Sequence, residues 1–333
     1  MKFGAVPVEE AGGGILAHSI KLPGGRLSKG LIIGPEEVAA LRAAGVDRVT
    51  VARLEPGDVE ENEAAADLAR TLAGGAPGVS LGPAVTGRVN LLADRAGIVQ
   101  LDAARIDAAN AVDPMITVAT VAPMHQILPG GLIATVKIIS YAVPGAALRA
   151  AAEHLAGAVR LALPALRSAT LIETLTAEGR PAGPPGLGRA AVADRLEALG
   201  VDLTETLTAA HEESAIAEAL GKASGDLLLI LTASATSDPE DVAPAAVRLA
   251  GGRVERVGMP VDPGNLLFLG ALEKRPVIGL PGCARAPALN GADWVLGRVI
   301  CGLNVTAADI AAMGVGGLLK EIPTRPSPRR GKG

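Results

Sequence analysis

The chain has 333 residues, of which 49% are hydrophobic and only 1% are aromatic, and its formal net charge is −4. This length predicts two or three domains with a substantial core. The acidic balance and the scarcity of aromatic rings disfavour duplex binding and base-stacking platforms, so no nucleic-acid partner is expected. Two cysteines exclude a disulfide framework or a four-thiolate zinc site and favour the reducing cytoplasm. The sequence shows neither a signal peptide nor an apolar run of about 20 residues, so no membrane association is expected.

The first section, residues 1–75, reads as a small α+β unit. "GRLSKGLII" predicts a strand or hairpin, and "VDRVTVARL" alternates as a strand does. Pro35 is typical of the first turn of a helix, which should run to Ala44 and be capped by Gly45. A second helix is predicted over Glu61–Leu72.

The second section, residues 79–145, is rich in short β-branched runs separated by Gly, Pro and Asp, such as "GRVNLLA", "MITVATV" and "LIATVKIISYAV". This spacing predicts a compact β-rich unit. Pro144 should end it, and an Ala-rich helix is predicted over Ala146–Leu163.

The third section, residues 146–320, alternates strands and helices from Ala169 onward. Such alternation predicts an α/β domain with a parallel sheet and helices on both faces. Ligands of such sheets bind at the carboxyl ends of the strands, where loops meet helix N-termini. Residues 321–333 are Pro-rich and basic, which favours a solvated disordered tail over a phosphate-binding one.

Small hydroxyl residues follow the apolar run "LLLIL" in "TASATSDPEDV". They suit a phosphate held by exposed backbone N–H groups, and Asp238 or Asp241 next to them suits Mg²⁺. The same residues are equally consistent with simple capping of the following helix. Pro-Gly turns follow at Pro263-Gly264 and Pro281-Gly282.

Other motifs in the sequence are weaker indications of a catalytic or binding site. "GPPGLGRA" has the spacing of a phosphate loop but lacks its Lys-Ser/Thr pair, and no G-x-G-x-x-G follows the first strand. The four histidines lack metal-ligand spacing. Cys283 lies near Arg285, a position that admits a thiol of lowered pKa, but the sequence favours a small buried cysteine. Cys301 is expected in the core.

The strings "LTASATSDPEDVAPAAV", "DPGNLLFLG" and "PVIGLPGCARAP" together resemble the molybdopterin-binding domain (MoCF) of molybdenum-cofactor biosynthesis proteins of the MogA, MoeA and gephyrin type. The likeness covers about residues 169–302. The chain also resembles a variant sometimes joined to a cytidylyltransferase-type domain, through "GRLSKG", "VTVARLEPGDV", "TGRVNLLA", "DPGNLL" and "NGADWVL". It lacks the nucleotide loop of that enzyme, so cytidylyl transfer is not assigned.

The resemblance implies a three-layer MogA-like α/β domain that binds molybdopterin or molybdenum cofactor, with Mg²⁺ as a further cofactor. It implies Asp241 as the catalytic residue, with Asp238 as a second metal ligand. The cofactor-binding residues it implies are Thr232, Ser234, Thr236, Ser237, Pro263, Gly264, Asn265, Gly279, Pro281, Gly282, Cys283 and Arg285.

Several residues depart from the family pattern. Ala233 and Ala235 stand where the family has glycines, which limits close backbone approach to a ligand. Asp262 replaces a lysine, and Arg285 restores a positive charge nearby. The acidic residue before the second helix is matched only by His211, Glu212 or Glu213.

Three functions follow as hypotheses. One is a molybdopterin-binding protein of molybdenum insertion or delivery, related to the molybdopterin molybdotransferases, which assembles as a homo-oligomer. Another is a non-catalytic carrier or docking protein that uses the same pocket and serves a nucleotidyltransferase or an apo-molybdoenzyme. The third, a nicotinamide-dependent dehydrogenase, fits the alternation but lacks the glycine fingerprint.

Overall fold

The computed structural model describes residues 1–184 and 186–319. Before residue 163 its strands are β1 Lys2–Pro7, β2 Ile15–Leu16, β3 Ile20–Leu22, β4 Gly25–Leu27, β5 Arg48–Arg53, β6 Asp58–Glu60, β7 Val79–Leu81, β8 Arg88–Ala93, β9 Gly97–Leu101, β10 Ile116–Thr120, β11 His125–Ile127, β12 Leu132–Ile138, β13 Ala142–Pro144 and β14 Val159–Ala162. The helices of this part are α1 Pro35–Ala43, α2 Glu61–Ala73, α3 Ala103–Asn110 and α4 Gly145–Leu155.

The later strands are β15 Ser168–Leu175, β16 Asp202–Ala210, β17 Leu227–Leu231, β18 Arg253–Val257, β19 Phe268–Leu272 and β20 Arg275–Leu280. The later helices are α5 Leu187–Glu197, α6 Glu213–Lys222, α7 Val242–Leu249, α8 Gly291–Ile300 and α9 Ala307–Ala311. The protein is therefore mixed α/β with several sheets, which confirms the predicted class at that level. None of the helices in the described ranges is long and apolar enough to span a bilayer.

Two compact units make up the chain. The first contains residues 1–95 and 99–161, and the second contains residues 96–98 and the described residues from 162 to 319. The finer division into residues 1–75, 79–145, 146–320 and 321–333 stays a prediction, and the basic tail lies outside the described residues.

The first unit contains several small sheets. Its N-terminal part is an antiparallel sheet in the order β1-β5-β2, and α1 contributes Leu41 to the core beneath it. Helix α2 packs against β8 and β12 through a buried face that includes Leu68 and Leu72. Glu60 caps the start of α2 by accepting hydrogen bonds from the following backbone, and left-handed Gly74 ends it.

Two expectations for this part of the chain were wrong. Helix α3 lies within the section predicted as a compact β-rich unit, and Asp102 caps it by accepting a hydrogen bond from the Arg105 N–H. Helix α4 ends at Leu155, and the predicted helix to Leu163 is interrupted because Gly157 adopts a φ of 69° and β14 follows.

The second unit is organised around a six-stranded sheet in the order β16-β15-β17-β20-β19-β18. Strands β16, β15, β17 and β20 are parallel, as predicted. For the other two strands the prediction of a parallel sheet was wrong, because β19 runs antiparallel to both β20 and β18. A short connection between neighbouring strands permits only antiparallel pairing, and β19 joins β20 directly by a tight turn.

Helices cover both faces of this sheet. Leu227, Leu229 and Leu231 of β17 belong to one core, with α5 and α8. The alternate residues Leu228 and Ile230 belong to a second core, with α6 and α7. A strand buried on both faces explains why "LLLIL" is apolar without alternation.

Candidate functional site

The candidate site lies at the edge of the six-stranded sheet where the parallel strands end. Leu231, the last residue of β17, lies beside Leu280, the last residue of β20. Val257 at the end of β18 lies opposite Phe268 at the start of β19. Three loops therefore leave the sheet at the same edge: the first loop (232–241), the second loop (258–267) and the third loop (281–290).

The first loop is held by its own carboxylates. Asp241 is the N-cap of α7, and its two oxygens accept hydrogen bonds from the N–H groups of Val242 (2.8 Å) and Ser237 (3.0 Å). Asp238 accepts one from the Glu240 N–H at 2.8 Å. The sequence left two interpretations of these residues open, a ligand site and a helix cap. The hydrogen bonds of Asp241 and Asp238 are those of a helix cap.

The hydroxyl residues of the first loop divide into two pairs. Thr232 and Thr236 are buried, whereas Ser234 and Ser237 are exposed. Only the two serines can therefore reach a ligand in solution without rearrangement of the loop.

The second loop rests on the start of α8. The Pro263 carbonyl accepts a hydrogen bond from the Gly291 N–H at 2.8 Å. Gly264 has a φ of 132°, and a Cβ added to it would lie 2.4 Å from that same nitrogen. The glycine of this Pro-Gly turn is thus required by close packing of two backbones. Asn265 is exposed, and its carbonyl accepts from the Met259 N–H at 3.0 Å.

The third loop begins as a short 3-10 helix, Gly282–Arg285, in which the Pro281 carbonyl accepts from the Ala284 N–H at 2.9 Å. Gly282 is exposed. The loop ends at Asn290, which is fully buried and caps α8 by accepting from the Ala292 N–H at 2.9 Å.

Arg195 of α5 fixes the course of this third loop. Its guanidinium donates hydrogen bonds of 2.8–3.1 Å to the backbone carbonyls of Ala284, Ala286 and Ala288. Its Nε also donates to Asp293 of α8, at 2.5 Å. The side chains of this ion pair are only 10% and 13% exposed, so it forms away from bulk water. Arg195 was not among the residues singled out in the sequence.

Arg285 joins the third loop to the first. Its Nη2 donates a hydrogen bond to the Thr232 carbonyl. Its half-buried guanidinium has its pKa lowered by burial, and the nearby carboxylate of Glu173 opposes this shift. Arginine remains charged in proteins despite such shifts, so a positive charge lies between the two loops.

Gly279 has a packing role. It lies opposite Phe268 in the β19–β20 pair, and a Cβ added to it would come within 1.9 Å of the aromatic ring. This position in the interior of β20, with the aromatic ring over it, is enough to explain why the residue is a glycine. No contact with a ligand is needed for that explanation.

A cleft of about 660 Å³ opens beside the first loop. It is lined by residues that follow β15, β16 and β17, among them His211, Glu212, Ala233 and Ser234. Of the cofactor-binding residues predicted from the sequence, Ser234 lines this cleft.

The buried hydroxyl of Thr174 lies behind the cleft. It accepts a hydrogen bond from the Ala233 N–H at 2.6 Å and lies 3.0 Å from Nδ1 of His211. Thr174 is 1% exposed. One hydroxyl group thus links the ends of β15, β16 and β17.

The residues predicted to bind Mg²⁺ do not form a metal cage. Both oxygens of Asp241 and one of Asp238 already accept backbone hydrogen bonds. Across residues 1–184 and 186–319, no three His, Cys, Asp or Glu side chains are grouped so as to hold an ion. The donor set therefore does not fit this metal.

The two cysteines are free thiols. Cys283 is half-buried, and burial raises its pKa, so the interpretation as an activated thiol with a lowered pKa is wrong. Cys301 is buried at the end of α8, as predicted, and burial raises its pKa to about 11.

Comparison with known proteins gives three kinds of result. A family model described as a domain of unknown function (DUF8806) matches residues 5–53. No curated protein matches the chain. Several solved structures match it, and those described next are molybdopterin or molybdenum cofactor biosynthesis proteins.

One is the molybdopterin biosynthesis MoeA protein from Pyrococcus horikoshii, with 15% identity over 84% of this chain and 70% of that chain and a TM-score of 0.26. Another is a molybdenum cofactor biosynthesis protein from Pyrococcus furiosus, with 13% identity over 91% of this chain and 66% of that chain and a TM-score of 0.25. A third is a molybdopterin biosynthesis MoeA protein from Pyrococcus horikoshii OT3, with 13% identity over 91% of this chain and 76% of that chain and a TM-score of 0.23.

Proposed function

We propose that the chain binds molybdopterin or molybdenum cofactor at the carboxyl edge of the six-stranded sheet and acts in molybdenum cofactor biosynthesis, insertion or delivery. The observation that carries this proposal is the position of the three loops whose sequences resemble a molybdopterin-binding domain. They leave one edge of one sheet, and Arg285 of the third loop donates a hydrogen bond to the Thr232 carbonyl of the first.

The exposed groups of the loops suit a pterin that carries a phosphate. Asn265 offers an amide donor and acceptor to the polar edge of the pterin, and Ser234 and Ser237 offer hydroxyls. Arg285 supplies a positive charge for the phosphate, and partial burial strengthens such a contact. Pro263, Gly264, Pro281 and Gly282 shape the backbone around these groups.

The proposal includes a MogA-like arrangement for residues 146–320. Support comes from the sheet of the second unit, which has one apolar core with α5 and α8 and another with α6 and α7. The likeness of "DPGNLL" and "NGADWVL" to the variant joined to cytidylyltransferase-type domains supports delivery to a nucleotidyltransferase or an apo-molybdoenzyme. We further propose that the protein resides in the cytoplasm. We also propose that it forms a homo-oligomer, which light scattering at micromolar concentration would test.

Between an enzyme and a carrier, the contacts of Asp241 favour the carrier. Its carboxylate caps α7 and holds the Ser237 N–H, so the residue has a structural task that explains its presence. Ala233 and Ala235 also restrict how closely a phosphate can approach the loop.

The test of binding starts with mass spectrometry of any pterin retained by the purified protein, followed by titration with molybdopterin under anaerobic conditions. Arg285→Ala should weaken binding by roughly 1.5–3 kcal/mol through loss of a charge-assisted hydrogen bond. Arg248→Ala is the matched control, because Arg248 belongs to α7 and its guanidinium donates to the Pro239 carbonyl of the first loop. Equal affinity in wild type and Arg285→Ala would contradict the assignment of Arg285.

A delivery assay with an apo-molybdoenzyme separates carrier from enzyme. Asp241→Asn keeps the shape and one acceptor oxygen but removes the charge. A carrier should still deliver the cofactor, and an enzyme that depends on this carboxylate should lose molybdenum insertion while binding pterin normally. Loss of insertion with intact binding would therefore overturn the carrier.

A further inference from the structure

The hydroxyl of Thr174 is placed to control the histidine at the cleft. Thr174 is 1% exposed, and its oxygen accepts a hydrogen bond from the Ala233 N–H at 2.6 Å. Its other close polar neighbour is Nδ1 of His211, at 3.0 Å. The hydroxyl proton therefore needs an acceptor, and Nδ1 is the one within reach.

This requirement selects one tautomer of the neutral imidazole. If Nδ1 accepts the Thr174 proton, the ring proton must reside on Nε2. The opposite tautomer would point Nδ1–H at the hydroxyl and leave the buried hydroxyl proton without an acceptor, which folded proteins avoid. The packing of Thr174 thus fixes Nε2–H as a hydrogen-bond donor.

That donor belongs to the cleft. His211 lines it together with Ser234, whose exposed hydroxyl is a second donor. In the described part of the chain, no protein group forms a hydrogen bond with Nε2 of His211. Of the other cleft residues, Glu212 is titratable and exposed.

We propose that His211, oriented by Thr174, recognises an acceptor oxygen of the ligand through Nε2–H, and that Thr174 is its positioning residue. The ligand oxygen is either the keto oxygen of a pterin ring or an oxygen of a phosphate. The identity of the ligand rests on the proposed function, but the tautomer and the donor do not.

The tautomer is measured directly by ¹⁵N NMR of the imidazole nitrogens, with His211→Gln used to assign the resonances. At pH 8.5, where neutral imidazoles dominate, His211 should show a protonated Nε2 and an unprotonated Nδ1. Thr174→Val removes the hydroxyl at nearly constant volume and should give a mixture of tautomers, whereas Thr174→Ser should keep the wild-type pattern. A protonated Nδ1 in the wild type would overturn the proposal.

Ligand contact is tested with neopterin, neopterin monophosphate and inorganic phosphate as probes. Contact should shift the Nε2 resonance, and the probe that shifts it identifies the oxygen: neopterin points to the keto group, and inorganic phosphate to phosphate. In His211→Asn the amide lies near the position of Nδ1, so this variant should bind that probe roughly three- to tenfold more weakly than the wild type does. His211→Gln reaches towards the position of Nε2 and should retain more affinity.

The outcomes separate this proposal from the proposed function. If a pterin binds but none of the probes moves the Nε2 resonance and His211→Asn binds as well as wild type, the donor role is wrong while pterin binding stands. If inorganic phosphate alone moves it and no pterin binds, the donor is supported and the molybdopterin proposal fails. If Thr174→Val does not fold, Thr174→Ser and the wild-type tautomer still decide.

Discussion

The first and third loops meet at the same edge of the sheet but are held in different ways. The third loop is fixed by side chains from elsewhere, because Arg195 of α5 binds three of its carbonyls and Asp293 of α8 completes the ion pair. In the first loop, the part next to α7 is held by its own capping carboxylates, Asp241 and Asp238. The start of this loop is held by single hydrogen bonds to the side chains of Arg285 and Thr174. The difference indicates that the third loop is preorganised by the core of the unit, whereas the part of the first loop next to α7 depends on local interactions.

The largest effect should come from Arg195→Ala. This change removes the donors for three carbonyls and leaves the carboxylate of Asp293, which is 13% exposed, with its hydrogen bond from the Asn290 N–H but without a cation. The free energy of unfolding should therefore fall by about 3–5 kcal/mol. Arg248→Ala is the control on the first loop, since its contact with Glu240 is exposed and should cost less than about 1 kcal/mol. Denaturant unfolding of both variants measures the difference. Equal losses would remove the distinction between the two loops.

Gly264→Ala probes the second loop, which rests on α8. A Cβ at this position would meet the Gly291 nitrogen at 2.4 Å with φ at 132°, so we expect a loss of roughly 3 kcal/mol from strain and overpacking. Gly251→Ala is matched, because Gly251 also has a positive φ of 85° but nothing lies within 4 Å of its added Cβ. It should cost about 1–2 kcal/mol. A milder effect at Gly264 than at Gly251 would show that the second loop can move away from α8.

Asp241→Ala tests whether the first loop is held by its own cap. Loss of the acceptor for the Val242 and Ser237 N–H groups should lower the free energy of unfolding by about 1 kcal/mol. Asp238→Ala removes a single contact within the loop and should cost less. Thermal unfolding of the two variants gives the comparison, and an unchanged midpoint for Asp241→Ala would argue that the cap is dispensable.

The smallest effect concerns the thiol of the third loop. Burial raises the pKa of Cys283, and only the thiolate reacts with iodoacetamide, so less thiolate is present at any pH below that pKa than in free cysteine. Alkylation of a Cys301→Ser variant should therefore be slower than that of free cysteine at pH 8 and should still be accelerating above pH 9. A rate that levels off near neutral pH would contradict the burial of this loop.

Much of the fold followed from local signals in the sequence. Pro35 and Gly45 mark the two ends of α1, and the observed ends lie within one residue of the predicted ones. These signals work because each residue acts on its own backbone. Helix α3 was not predicted, because its Asp102 cap is a single residue in a section dominated by β-branched runs. Strand β18, "RVERV", was missed because three of its five residues are charged.

The same holds for the site: features with a local sequence signal were predicted, and contacts between distant residues were not. The loops could be located because each follows an apolar strand and contains Pro-Gly or hydroxyl residues. Arg195 lies about 90 positions before the carbonyls it binds, and nothing in the pattern of α5 separates it from a solvent-exposed arginine. Thr174 was missed for a related reason: a threonine near the end of a strand is ordinary, and its role becomes visible only when β16 and β17 lie beside β15.

The contact between Gly279 and Phe268 has a consequence for how this sequence can diverge. A methyl group on Gly279 would occupy the space of the Phe268 ring, so the two positions are coupled. Gly279→Ala alone should be poorly tolerated, and Phe268→Leu alone should leave a void in the core that it shares with Val277. Combined, the added methyl group fills part of that void. Across related chains, a side chain at position 279 should therefore be found only with a smaller residue at position 268.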